Sequence, residues 1–403
     1  MNFFFGLNSL SIFFLQISLF FILISTAVSN AAIIIAIILG LLSIFKDKRY
    51  LEIFFTNRVN LFISLLTLLL LLSYYYTSAT NQEYFEIIKK YIKFIYIPIC
   101  FFIFKNALKN QDFYFLFILG STIVLILSYL KFFNFINPAD ISEFFGIQYN
   151  SKLANGVVVF QHSIIHGIIF SFYSFVTFYR ARSKSNFIYY ILSFLGFFNV
   201  LFLNNSRTAY LIVIIMFFII LLSFLKSRNY KKLLSVVAII TISFSFFGNN
   251  ILSNRLNLAV NDIKYINQNN YESSVGFRYV WFKNGINSLY EKPIFGYGAG
   301  SFKNTLSKFL EKENLINKKD FLTQNPHNEF VSIIVQAGLI GFFLLIGFFY
   351  FLFKYIKKSD VGLGIFFLVL ISCFFNSVFF DNVLGIFSVI LISHAMSQKK
   401  LEV

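Results

Sequence analysis

Three side chains in this 403-residue sequence stand where a charge or a titratable ring is costly unless it is used: Arg207, Arg278 and His327. Arg207 lies in Asn204-Asn205-Ser206-Arg207-Thr208-Ala209, a short turn between two apolar runs. A charge at mid-bilayer costs roughly 2.5–3.5 kcal/mol, which is tolerable at a helix end with a partner. Arg207 is the only charge in its turn, and a planar guanidinium suits bidentate binding of phosphate. The plainer reading is an interfacial anchor whose stem snorkels to the headgroups. His327 follows Pro326 and precedes Asn328 and a long apolar run. Asn328 can cap the helix that begins there, which places the imidazole at a helix N-terminus. A helix N-terminus and nearby arginines both keep an imidazole neutral, the form a general base needs. An ordinary exposed or capping histidine is the alternative.

Two further groupings are weaker. His162 and His166 stand four apart, a spacing that can bind a metal from one helix face, but no acidic partner is near in sequence. Buried hydrogen-bonding or cavity-lining histidines are the better reading of that pair, and no metal site is expected. Gly296, Gly298 and Gly300 form a Gly-x-Gly-x-Gly cluster that resembles a phosphate fingerprint only superficially, because no strand precedes it. It reads as a tight turn after Pro293 that can bring backbone amides towards a substrate. Cys100 and Cys373 both lie in apolar runs and have no metal-ligand spacing.

The elements that must position these residues are mostly apolar helices. The chain is 58% hydrophobic and 13% charged, against roughly 25% charged in soluble domains. Recurrent apolar runs predict an all-α polytopic membrane protein with about 12 transmembrane helices. The predicted spans are 9–28, 30–45, 59–75, 91–104, 113–130, 157–179, 187–203, 209–225, 233–247, 330–353, 361–379 and 383–397. The fourth is short and contains Lys93. The first is long enough to span and lacks a basic leader and a cleavage site, so it reads as a retained helix.

The formal charge of +17 does not indicate nucleic acid. Much of it sits in alternate loops, such as Arg180, Arg182 and Lys184, or Lys354, Lys357 and Lys358, the signature of cytoplasmic loops. Both termini then lie in the cytoplasm. The opposite, periplasmic face receives Thr77 to Tyr91, Lys131 to Gly156, the Asn204 to Thr208 turn and one large loop, 248–329, within a single membrane domain, 1–403. In that loop Ser273-Ser274 can cap a helix on which Val275, Tyr279, Phe282, Ile286 and Leu289 make one apolar face and Pro293 ends the run. Such a helix can lie on the membrane surface or over a cavity, with Arg278 at the edge of its stripe. No acidic residue falls in the middle of a predicted span, which argues against an ion-coupled transporter.

Ser206-Arg207-Thr208-Ala209, Arg278, the stretch Pro293 to Phe302, and His327-Asn328-Glu329 leading into Gln336-Ala337-Gly338-Leu339-Ile340-Gly341 together resemble the O-antigen ligase family. The wider superfamily includes O-antigen polymerases and bacterial protein O-oligosaccharyltransferases. The resemblance is specific from about residue 200 to 345 and agrees only in hydropathy before that. It implies a GT-C-type fold in the bacterial inner membrane. It also implies transfer of a glycan from undecaprenyl diphosphate to lipid A–core on the periplasmic side, with no cofactor and no metal. Carried over residue by residue, Arg207 and Arg278 would hold the diphosphate and His327 would deprotonate or orient the acceptor. Ser206, Asn328, Gly298, Gly300 and Ser301 lie in the matching stretches and are the further substrate-binding candidates. Its expected partners are the lipid-linked donor, the lipid A–core acceptor and membrane lipids, with no nucleic acid. No residue reads out the acceptor, so a polymerase or a protein O-oligosaccharyltransferase remains an alternative, with a lipid-linked glycan transporter further off. A non-catalytic scaffold would leave the Arg-Arg-His arrangement unexplained.

Overall fold

A computed structural model describes residues 2–44, 56–106, 112–137, 157–227, 260–262, 264–268, 270–315 and 321–398. The described residues are helical with no strand: α1 Asn2–Phe21, α2 Thr26–Ile44, α3 Arg58–Leu72, α4 Asn81–Tyr91, α5 Lys93–Lys105, α6 Phe115–Phe132, α7 Ser163–Lys184, α8 Phe187–Phe198, α9 Arg207–Lys226, α10 Ser274–Glu291, α11 Phe302–Lys312, α12 Glu329–Ile356, α13 Asp360–Phe375 and α14 Asn382–Ser397. Among the described residues six helices, including α2, α6, α7, α9 and α12, are long and apolar enough to cross a membrane. The ninth predicted span, 233–247, lies outside the described residues, as does most of the predicted 131–156 loop. Each of the other predicted spans overlaps a helix.

The first boundary needs correction. An apolar run was expected to continue through residue 28, but α1 ends at Phe21 and α2 begins at Thr26. Ile22, Leu23 and Ile24 keep the hydropathy high across the break. The signal is polar: Ser25 Oγ accepts the Val28 N–H at 3.4 Å and starts the second helix.

The bundle is organised around α7, whose residues His166 to Phe178 are all buried. The neighbouring pairs are α1 with α2, α7 with α8, α3 with α12 and α5 with α14. The outward faces of α3, α6 and α9 expose Leu65, Leu68, Ile126, Ile214 and Phe218, as lipid-facing helices do. A second, smaller core lies in the inserted segment, where Val280, Trp281, Phe302, Leu306, Leu310 and Phe321 pack with Val331 and Val335 of α12.

The glycine cluster and α12 are built as one joint. At Gly338 the α12 backbone leaves the helical region, with φ 60° and ψ −157°. Such a break strands the carbonyls before it and the amides after it. Residues 293–298 supply the partners. Tyr297 N–H donates to the Val335 carbonyl at 2.8 Å and Gly298 N–H to that of Gln336 at 3.0 Å, while Leu339 N–H donates to the Pro293 carbonyl at 2.8 Å. Gly296, at φ 67°, is required twice over: its backbone is left-handed, and a Cβ would lie 2.6 Å from the Val335 oxygen. The same turn grips the end of α3 and the start of α4. Ala299 N–H donates to Ser73 Oγ at 2.8 Å and Thr77 Oγ1 donates to the Ala299 carbonyl at 2.7 Å. Gly296→Ala is therefore expected to destabilise the protein by about 1–3 kcal/mol, read as a lower Tm in detergent. An unchanged Tm would show that the joint relaxes freely.

Candidate active site

Each of the three residues is presented by a helix start. Ser206 caps α9 by accepting the Ala209 N–H at 3.3 Å, so Arg207 is the first residue of that helix. Ser273 caps α10 by accepting the Gly276 N–H at 3.1 Å and places Arg278 in its second turn. Asn328 caps α12 by accepting the Val331 N–H at 3.0 Å and leaves His327 just outside. Asn328 Nδ2 also donates to the Phe374 carbonyl at 2.9 Å.

Although far apart in sequence, the three side chains share one electrostatic environment. Arg278 is half-buried, and its guanidinium is held below the ordinary arginine range first by burial and then by the charge of Arg207. A guanidinium remains protonated through such a shift. The two therefore form a repelling cationic pair that an anion would relieve. Arg207 has a partial partner, as its Nη1 lies 3.1 Å from Asp262 Oδ2 while the side chain stays 45% exposed. Arg278 has no carboxylate partner among the described residues. His327 is lowered from its ordinary 6.5, chiefly by burial and secondly by Arg278, with Asp381 acting in the opposite direction. Burial and the Arg278 guanidinium thus both favour the neutral imidazole at His327.

The histidine backbone is also set. His327 adopts φ 50°, unusual for a residue with a Cβ. Its N–H donates to Asn325 Oδ1 at 2.9 Å, and its ring sits 5.6 Å from that of Trp281, the single tryptophan. Trp281 is itself fixed by an Nε1 hydrogen bond to the Phe321 carbonyl at 3.0 Å. Neither ring nitrogen of His327 has a hydrogen-bond partner among the described residues, so both are available.

The remaining candidates are placed differently. The amides of Gly298 and Gly300 donate to the Gln336 carbonyl at 3.0 Å and to Gln336 Oε1 at 2.9 Å, and Ser301 Oγ donates to the Gly298 carbonyl at 2.6 Å. These groups brace α12 below His327. His162 and His166 do not share a helical face: His162 is the extended N-cap residue of α7, and His166 bonds Asn199 instead. Within α10 the expected apolar stripe points outward, with Tyr279, Phe282 and Ile286 exposed. Gly276, Val280, Trp281, Asn284, Gly285 and Ser288 face the protein.

Two acidic residues were not singled out for the site. Asp381 caps α14, accepting the Leu384 N–H at 2.8 Å, and faces His327 electrostatically. Glu329, wholly buried, accepts the Phe379 N–H at 2.9 Å and ties the Asp381 segment to the start of α12. Lys93 completes that tie by donating to the Asp381 carbonyl at 2.7 Å. A charge at each apolar boundary was the available signal, and only the tertiary structure pairs them.

Residues 191–346 match the O-antigen ligase family. The matched stretch takes in Arg207, Arg278, the glycine cluster and His327. The chain is 25% identical over 295 residues to an O-antigen ligase of Escherichia coli, covering 72% of this chain and 67% of that protein. It is 28% identical over 151 residues to an uncharacterised protein of Haemophilus influenzae, covering 36% of this chain and 37% of that relative. The resemblance drawn from the motifs therefore stands, and six helices of spanning length among the described residues make the chain similar to a multi-pass membrane protein of that family.

Proposed function

We propose that this protein is an O-antigen ligase of the bacterial inner membrane that transfers a glycan from undecaprenyl diphosphate to lipid A–core on the periplasmic side. The carrying observation is the convergence of Arg207 and Arg278, mutually repelling, with a neutral His327 next to Arg278. In the proposed reaction the donor C1–O bond breaks and the diphosphate gains negative charge, which the two guanidinium groups stabilise where another enzyme would use a cation. The acceptor hydroxyl oxygen forms the new bond to C1 from the opposite side, inverting the anomeric centre. Its proton passes to a ring nitrogen of His327, a step typically worth about 10²–10⁴-fold. Asp381 then favours the imidazolium so formed.

The reading includes a GT-C-like bundle of twelve spans with both termini cytoplasmic and the 248–329 loop periplasmic. In it Ser206 and Asn328, the caps at Arg207 and His327, and Gly298, Gly300 and Ser301, which brace α12, remain the further substrate-binding candidates. No metal or other cofactor takes part. A chelator in the transfer assay is accordingly expected to leave the rate unchanged; loss of transfer restored by a divalent cation would overturn that part.

A lipopolysaccharide gel with lipid-linked glycan analysis tests the function in cells. A strain lacking the protein should carry lipid A–core without long glycan and accumulate polymer on undecaprenyl diphosphate. Core bearing a single repeat unit would instead mark a polymerase. An unchanged gel would remove the lipopolysaccharide assignment.

A further inference from the structure

The turn that carries Arg207 is registered by a buried polar chain to which the proposed chemistry assigns no role. After α8 the backbone forms a π turn, Asn199–Leu203, closed by Asn204 N–H donating to the Asn199 carbonyl at 2.9 Å. A π turn inserts an extra residue into the helical path and is frequent at functional sites. Here it rotates the exit towards Asn204, Ser206 and Arg207.

Asn199, at the head of that turn, is fully buried, and its amide lies between two partners. The order of donors follows from the end of the chain. Ser128 Oγ donates to the Val157 carbonyl at 2.8 Å, so its oxygen is left to accept from Asn199 Nδ2, also at 2.8 Å. Asn199 Oδ1 therefore faces His166 Nε2 at 3.0 Å, and the imidazole must carry its proton on Nε2. His166 is fully buried and stacks on Phe170 at 4.4 Å. Four segments are thereby tied together: α6, the residues before α7, α7 and the π turn.

The first turn of α7 grips the Arg207 turn directly. Asn204 Nδ2 donates to the Ser163 carbonyl at 3.0 Å, and a Cβ on Gly167 would lie 2.8 Å from that Nδ2 and 3.2 Å from Ser206 Cβ. Tyr210 Oη donates to the Asn204 carbonyl at 2.6 Å from the α9 side. We infer that His166 and Asn199 are positioning residues for Arg207, acting through the π turn rather than on substrate. The inference rests on the reading of Arg207 as a diphosphate ligand.

The test is a transfer assay in liposomes with His166→Leu, Asn199→Leu, His166→Gln and Ser128→Ala, scored as KM for the undecaprenyl-diphosphate-linked donor against kcat. Displacing a binding group by about an ångström can cost about 10²-fold. The two leucine variants should raise donor KM by about tenfold or more, with a smaller change in kcat. His166→Gln keeps an N–H donor for Asn199 and should recover most of the loss. Ser128→Ala serves if a leucine variant fails to accumulate, and should raise donor KM in the same sense.

In an Arg207→Lys background His166→Leu should add little, because both act through one group. An equal rise in donor KM in both backgrounds would overturn the positioning role, as would a wild-type donor KM in folded His166→Leu. If Arg207→Ala alone leaves donor KM at the wild-type value, the Arg207 assignment itself falls. That outcome is distinct from an active Arg207 with an indifferent His166.

Discussion

His327→Ala is expected to lower glycan transfer by at least about 10²-fold while the protein remains in the membrane and still takes up donor. The substitution removes the imidazole set beside the Arg278 guanidinium, and no other described residue stands ready to replace it. Asp381 is engaged in capping α14 through the Leu384 N–H, and Glu329 is buried on the Phe379 amide. The pH dependence should carry the same signature. Because burial and Arg278 lower the His327 pKa from 6.5, the imidazole stays neutral to lower pH than a free histidine does. Activity should persist as pH falls through the ordinary histidine range and fail only below the depressed value. A rate that already halves at the ordinary histidine value would show that His327 is not the titrating base.

The second large effect is expected at Arg278. Arg207 shares its charge with Asp262, whereas Arg278 is half-buried and has no carboxylate among the described residues. Arg278 is thus the cation whose charge is most fully available to an anion. Arg278→Ala should cost about 10²–10³-fold in kcat, the scale seen when one preorganised stabilising donor is removed. Arg278→Lys should restore only part, since an ammonium offers no bidentate fork. Arg278→Gln adds an independent check. It removes the positive neighbour that depresses His327, so the acid limb of the residual activity should move to higher pH. A limb that stays put in Arg278→Gln would mean that the two side chains do not share one site.

What could be read in the sequence was local. Ser273, Asn328 and the glycines act on residues within a turn of themselves, so the α10 start, the α12 cap and the tight turn after Pro293 were legible from residue type and spacing. The apolar runs likewise marked the longer helices, apart from the α1–α2 break, where hydropathy does not change, but not the polar α4 and α11. The direction in which α10 faces was not legible. Besides Val280 and Trp281, its inward side holds Gly276, Asn284, Gly285 and Ser288, small or polar residues that allow close approach: a Cβ on Gly285 would lie 3.0 Å from Val331 Cγ1. A hydropathy reading points to the opposite face.

The same limit applies to the ties across the site. Glu329 and Lys93 meet the segment around Asp381 at separations of 50 and 288 residues, and no local pattern encodes such pairings. The π turn at Asn199 is equally silent, because it depends on a hydrogen-bond chain reaching back to Ser128. His166, buried and bonded to Asn199, fits the hydrogen-bonding reading of the His162 and His166 pair rather than the spacing taken alone. Four residues apart suggests a shared face, but an N-cap residue is not yet helical.

The central claim is that Arg207, Arg278 and His327 together transfer a glycan off a polyprenyl diphosphate. The most direct measurement is release of undecaprenyl diphosphate by the purified protein in liposomes, with the lipid-linked glycan as donor and lipid A–core as acceptor. Wild-type protein should release one undecaprenyl diphosphate for each glycan joined to core. His327→Ala should bind the donor and release none above background. Release at the wild-type rate by His327→Ala would contradict the account.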